Sequence, residues 1–259
     1  MRTPLIAGNW KLHKTLTEAV DLVGALKTAV KAVDNVEILV APPFTAISML
    51  ATKLAGSNIK LAAQNCYFEP SGAFTGEVSA PLLKDAGCDY VIIGHSERRQ
   101  IFAEDDATIN RKVKAVLDAG LSCILCIGET LEERESGDMF DVLTRQVREG
   151  LAGVTDMADV VIAYEPVWAI GTGKTATSEQ AQEVHSFVRG VLQGLFDQQT
   201  AMSTRILYGG SVKPDNVDEL MAMDDVDGAL VGGARDRKSG SAGMPRPAFD
   251  LVCRLLLEK

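Results

Sequence analysis

The chain has 259 residues, 46% hydrophobic and 24% charged, which supports a large buried core and leaves no polar tract for a linker, so one domain spanning 1–259 is expected. A formal net charge of −9 without a basic stripe excludes a general nucleic-acid surface. No stretch reaches the ~18 uninterrupted apolar residues of a membrane span, and the opening Met1-Arg2-Thr3-Pro4 has no export signal, so a cytoplasmic location is expected.

In chain order, a first apolar run at Leu5 to Ala7 is followed by an amphipathic stretch, Thr17 to Val33, with Val20, Val23, Leu26 and Val30 at helical spacing. Further runs follow at Glu37 to Ala41, Ile59 to Ala63 and Tyr90 to Ile93, then a second clear amphipathic stretch from Thr108 to Ala119 with Ile109, Val113 and Val116. Cys123 to Ile127, Val160 to Ala163, Arg205 to Leu207 and Ala229 to Val231 complete the set. These runs are nearly continuously apolar, as parallel strands buried on both faces must be. Eight strands, each followed by a helical segment, predict an α/β fold of the (β/α)8 barrel type in preference to an open doubly wound sheet, which usually has about five or six strands.

The five cysteines, Cys66, Cys88, Cys123, Cys126 and Cys253, are odd in number and scattered, which predicts free thiols in a reducing compartment. Cys123 and Cys126 form a C-x-x-C pair within a predicted strand. Residues three apart there point to opposite faces, so shared metal or redox chemistry is not expected. A second motif, Gly171-Thr172-Gly173-Lys174-Thr175, imitates a phosphate-binding G-x-x-x-x-G-K-[ST] loop, but Trp168 stands where the leading glycine belongs.

Barrels of this kind place their active sites at the C-terminal ends of the strands. Polar or glycine-rich residues follow the predicted strands at Asn9-Trp10-Lys11, Gly94-His95-Ser96-Glu97-Arg98, Tyr164-Glu165-Pro166, Gly209-Gly210-Ser211 and Gly232-Gly233, and would converge on one mouth. His95 follows its run directly after a glycine, whereas His13 and His185 lack a strand-end position and are expected to be ordinary surface or core residues.

The blocks Gly8-Asn9-Trp10-Lys11, Ile93 to Arg99, Ala163 to Gly173, Tyr208 to Val212 and Leu230 to Ala234 occur in an order and spacing that resemble triosephosphate isomerases, from about residue 4 to residue 234. The family is a standard illustration of acid–base tuning, a glutamate base beside a neutral histidine electrophile, and those roles come to this chain by resemblance. The resemblance implies interconversion of dihydroxyacetone phosphate and D-glyceraldehyde 3-phosphate through an enediol(ate), in glycolysis and gluconeogenesis, with no organic cofactor and no metal. It makes Glu165 the base, His95 the electrophile and Lys11 the balancing cation, with Asn9 as a nearby donor and Glu97 as a neighbour of the lysine. A general base typically contributes about 10² to 10⁴ in rate, so a glutamate alone would not suffice and an electrophile is needed. At the start of the Ser96-Glu97-Arg98 segment His95 would sit at a helix N-terminus, where the dipole disfavours imidazolium.

Substrate binding is expected at Asn9 and Lys11, and its phosphate at backbone N–H groups of Gly171, Ser211, Gly232 and Gly233, since glycine permits close approach. Pro166 to Ala176 reads as a lid with an apolar centre. The stretch Gln64 to Glu77 resembles the family's interlocking loop and implies a homodimer, with Thr75 near the neighbour's site and Glu77 pairing with Arg98 across the interface. The chain departs from the family after Ala234, where Arg235 to Pro245 forms a longer, basic loop before helical spacing resumes past Pro247. That departure motivates one rival expectation, a barrel that binds sugar phosphates without catalysis; intact Lys11, His95 and Glu165 argue against it.

Overall fold

The computed structural model describes residues 2–170, 175–212 and 216–232. Eight parallel strands close into a barrel in sequence order: β1 Leu5–Asn9, β2 Glu37–Ala41, β3 Ile59–Ala63, β4 Tyr90–Ile93, β5 Ser122–Ile127, β6 Val160–Tyr164, β7 Ile206–Tyr208 and β8 Gly228–Gly232. Register closes the ring, with Asn9 opposite Ala41 on one side and opposite Gly232 on the other. The expected fold class is the observed one.

The described helices are α1 Leu16–Ala29, α2 Ile47–Leu54, α3 Ala80–Asp85, α4 Ser96–Ile101, α5 Asp106–Asp118, α6 Leu131–Ser136, α7 Met139–Gly150, α8 Ser178–Leu195, α9 Gln198–Ser203 and α10 Val217–Met221. Strand side chains alternate between two apolar layers. Leu5, Ala7, Leu39, Ile92, Ile124 and Cys126 fill the barrel interior. Ile6, Ile38, Val40, Val91, Cys123 and Leu125 meet the buried faces of the helices instead. Full burial of an isoleucine or leucine contributes about 1.5–3 kcal/mol, so a one-residue slip in any strand would be strongly opposed.

The two cysteines of the C-x-x-C pair therefore lie in different layers. Burial pushes the thiols of Cys66 and Cys88 up to about 12 and raises those of Cys123 and Cys126 as well. All four are free, as expected, and inert as thiolates at neutral pH. Cys253 lies outside the described residues.

Helix ends depart from the periodicity in ways that side chains explain. The apolar spacing suggests helix up to Val33, yet α1 stops at Ala29. Asn58, from the approach to β3, donates its amide to the carbonyls of both Val30 (2.9 Å) and Val33 (2.7 Å), so those groups are satisfied without a further turn. Asp105 caps α5 by accepting from Thr108 N–H (2.8 Å), which starts that helix two residues before the expected Thr108.

The N-terminal end of the barrel is plugged. Tyr90 donates its hydroxyl to Glu37 (2.8 Å), and Arg205 donates to both Tyr90 (3.0 Å) and Glu37 (2.5 Å) across the strands. The C-terminal mouth carries the remaining strand-end polar groups. Among the described residues no helix is long and apolar enough to cross a membrane.

Candidate active site

Four strand ends bring the site together. Asn9 is the last residue of β1, and Lys11 two positions on adopts φ +50°, a left-handed conformation unfavourable for a side-chain-bearing residue. Its peptide is held from both sides: Asn9 Oδ1 accepts from Lys11 N–H (3.0 Å), and Gln64 Nε2 donates to Lys11 O (2.9 Å) and Ala41 O (2.8 Å). The ammonium so aimed meets Glu97 Oε1 at 2.6 Å. Gly232 leaves room for it, since a Cβ there would lie 3.1 Å from Lys11 Cε.

His95 follows β4 and is the N-cap of α4, its Nδ1 accepting from Glu97 N–H at 3.2 Å. Its Nε2 lies 3.0 Å from Glu165 Oε1. Glu165 follows β6, is buried, and is parked against α4: Ser96 N–H donates to Oε2 (2.8 Å) and Ser96 Oγ–H to Oε1 (3.2 Å). Burial pushes the Glu165 carboxyl up, but His95, the Ser96 N–H and Lys11 pull harder and hold it below the usual carboxylate range. It is therefore ionised at rest.

For the imidazole, burial opposes the charged form while the Glu165 carboxylate favours it, and with Glu165 against the ring the balance lies above the usual histidine range. A second ring proton would have to sit on Nδ1, however, where the Glu97 N–H already points. That N–H favours the neutral ring with its proton on Nε2, directed at Glu165.

The strand-end pattern thus brings Asn9, Lys11, His95, Glu97, Glu165 and Gly232 to one mouth. Ser211 lies three residues past β7, its carbonyl accepting from Asn216 Nδ2 (3.1 Å). Gly171 and Gly233 lie outside the described residues, as do residues 171–174 of the expected lid and the basic loop Arg235 to Pro245; the lid's apolar Val167 to Ile170 are described. Of the other histidines, His13 is exposed and His185 is buried in the core. Arg98 pairs within the chain, Nε to Glu104 Oε1 at 2.5 Å.

The sequence model of triosephosphate isomerases matches residues 4–239. The chain belongs to the triosephosphate isomerase family. A triosephosphate isomerase of Syntrophotalea carbinolica is 64% identical over 236 residues, covering 90% of this chain and 94% of the relative. One of Geotalea uraniireducens is 59% identical over the same coverage, and one of Endomicrobium trichonymphae 57%. Family membership accounts for the barrel and for the five strand-end blocks together.

The strand-end pattern does not by itself reveal three residues that serve this triosephosphate isomerase site. Ser96 stands in the sequence only as part of a block, yet it is the resting partner of the glutamate. Gln64 marks the start of a loop, yet its carboxamide grips the backbone of Lys11. Glu129 belongs to none of the five blocks. It is fully buried and accepts from Tyr164 OH (3.0 Å) and Trp168 Nε1 (2.8 Å), anchoring the turn that follows Glu165. An acid two residues past a strand end, in Gly128-Glu129-Thr130, is the sequence signal for the last of these.

Proposed function

We propose that the chain interconverts dihydroxyacetone phosphate and D-glyceraldehyde 3-phosphate, with Glu165 carrying a proton between the two carbons through an enediol(ate). The substrate oxygen takes the place of Glu165 at the Nε2–H of His95, and the freed carboxylate turns to the adjacent carbon. Removing that proton drives negative charge onto the oxygen. A neutral imidazole donating from Nε2 and the ammonium of Lys11 stabilise this charge at the strand ends. The proton returns to the neighbouring carbon from the same carboxyl, so the step balances within one molecule.

Asn9 and Glu97 aim the lysine. The phosphate is assigned to Lys11 and the backbone of Ser211 and Gly232, with Gly171 and Gly233 completing the cradle. Residues 233–259 are assigned to the same domain. The observation that carries this reading is the juxtaposition of a buried, ionised Glu165 with His95 Nε2 at 3.0 Å and with Ser96 N–H. A coupled assay on the purified protein tests it, alongside Glu165→Asp, which shortens the base by one methylene. Retention of parental turnover by a folded Glu165→Asp protein would remove Glu165 from the role.

The physiological setting is assigned as cytoplasmic glycolysis and gluconeogenesis; buried free thiols fit a reducing compartment. The segment Gln64 to Glu77 is assigned to a homodimer interface. Residues 70–77 are all exposed in the single chain, and Leu12, Phe74, Ile101 and Phe102 carry apolar surface to solvent. In the assembled pair Thr75 approaches the second copy's site and Glu77 meets its Arg98. Sedimentation at assay concentration tests this; a monomer of full activity would end it.

A further inference from the structure

We propose that Arg134 is a positioning residue for the base, acting through the indole of Trp168. The inference rests on the reading of Glu165 as base, since Trp168 belongs to the turn that begins directly after it.

The turn Val167–Ala169 is fastened to the start of α6 by Glu129: Val167 N–H donates to its carbonyl (3.1 Å), and Trp168 Nε1–H donates to its Oε1 (2.8 Å). The second of these bonds holds the indole by its edge. The face is covered from α6, where the Arg134 guanidinium lies 5.0 Å from the ring centroid, within the range of cation–π attraction. Nη1 of the same guanidinium meets Glu129 Oε1 at 3.1 Å and Met139 Sδ at 3.1 Å, which fix its plane.

One planar cation therefore does two things. It supplies positive charge to a fully buried carboxylate, and it stacks on the ring that this carboxylate holds by the N–H. A lysine would supply the charge without the plane. The link to chemistry runs through the chain. Glu165 must leave Ser96 to reach a substrate carbon, and Trp168 follows it by three residues across Pro166, whose fixed φ limits how far the turn can shift without moving the backbone that carries the base. Where the indole is allowed to rest then biases where the carboxylate can go. Arg134 touches no reacting atom.

The test uses the full chain in a Trp10→Phe background, which leaves Trp168 as the sole tryptophan of the two. Arg134→Met is expected to lower kcat about tenfold, the scale of one well-formed cation–π contact, with little change in KM, and to shift the Trp168 emission maximum in the ligand-free protein. Arg134→Lys is expected to regain the thermal stability while leaving the kcat loss and the emission shift in place. A merely structural ion pair would show the reverse, with both variants keeping parental emission and Arg134→Lys keeping parental kcat. A variant that moves only one of the two readouts overturns the proposal, as does an Arg134→Lys protein matching the parent in both. Should Arg134→Met fail to fold, Arg134→Lys decides alone. An inactive parent would sink the isomerase reading, while the emission comparison would still test the contact between Arg134 and Trp168.

Discussion

Gly209→Ala should disable the base without unfolding the protein. A Cβ at this position would lie 2.9 Å from Glu165 Cγ and 3.0 Å from Tyr164 O, closer than ordinary van der Waals contact. Neither neighbour gives way freely. Tyr164 O is strand backbone that already accepts from Gly209 N–H at 2.7 Å, and the Glu165 side chain is pinned by Ser96 and His95. Restoring normal contact requires a displacement of about 0.5–1 Å, and misplacing a reacting group by about 1 Å costs on the order of 10² in rate. That factor corresponds to about 2.7 kcal/mol of lost transition-state stabilisation. Gly209 does not have a positive φ, so the alanine adds no backbone strain of its own. The assay is kcat from coupled turnover, with circular dichroism and thermal melting on the same sample. Gly190→Ala is the matched control: it lies inside α8, where an added Cβ would meet nothing within 4 Å, so it should keep parental kcat and gain about 0.5–1 kcal/mol of stability. A folded Gly209→Ala enzyme with kcat within about threefold of the parent would refute the steric reasoning.

Gln64→Leu removes the amide bond to Lys11 O, and with it the bond to Ala41 O, leaving Asn9 alone to hold Lys11 at φ +50°, a conformation costing about 1–2 kcal/mol for a single residue, so kcat/KM should fall about tenfold; an unchanged kcat/KM in the folded variant would show that Asn9 suffices. His185 gives a pH prediction: burial, only partly opposed by its bond to Asp225 O, holds its pKa down at about 4. A depressed histidine stays neutral in the fold but protonates in the unfolded chain, so stability is complete above the unfolded value of about 6.5 and is lost as pH falls toward 4, by up to about 3 kcal/mol. Urea unfolding between pH 7 and pH 4.5 should show a shallower acid slope for His185→Gln than for the parent, and identical slopes would remove His185 as the cause.

The parts of this architecture that can be read from sequence are those fixed by solvent alone. A parallel strand covered on both faces must be nearly continuously apolar, with charged residues such as Glu37 and Lys60 confined to its N-terminal end, and β2, β3 and β4 begin and end where their predicted runs do. The same logic exposes His95 and Glu165, because a polar group directly after such a run has nowhere to go but the mouth. Helix ends are less legible: the stop of α1 depends on Asn58, which belongs to another element. The supporting cast of the site is of this second kind. Ser96 meets Glu165 across 69 positions of chain, Gln64 meets Lys11 across 53, and Glu129 meets Trp168 across 39. No local pattern encodes those distances; closing the ring of strands creates them. A group that reacts with substrate can thus be recognised from its own surroundings in sequence, whereas a group that aims another is defined by a partner that only the closed barrel supplies. It follows that substitutions at Gln64, Gly209 or Arg134, none of which faces a reacting atom, should disturb turnover in proportion to how rigidly each holds its distant partner.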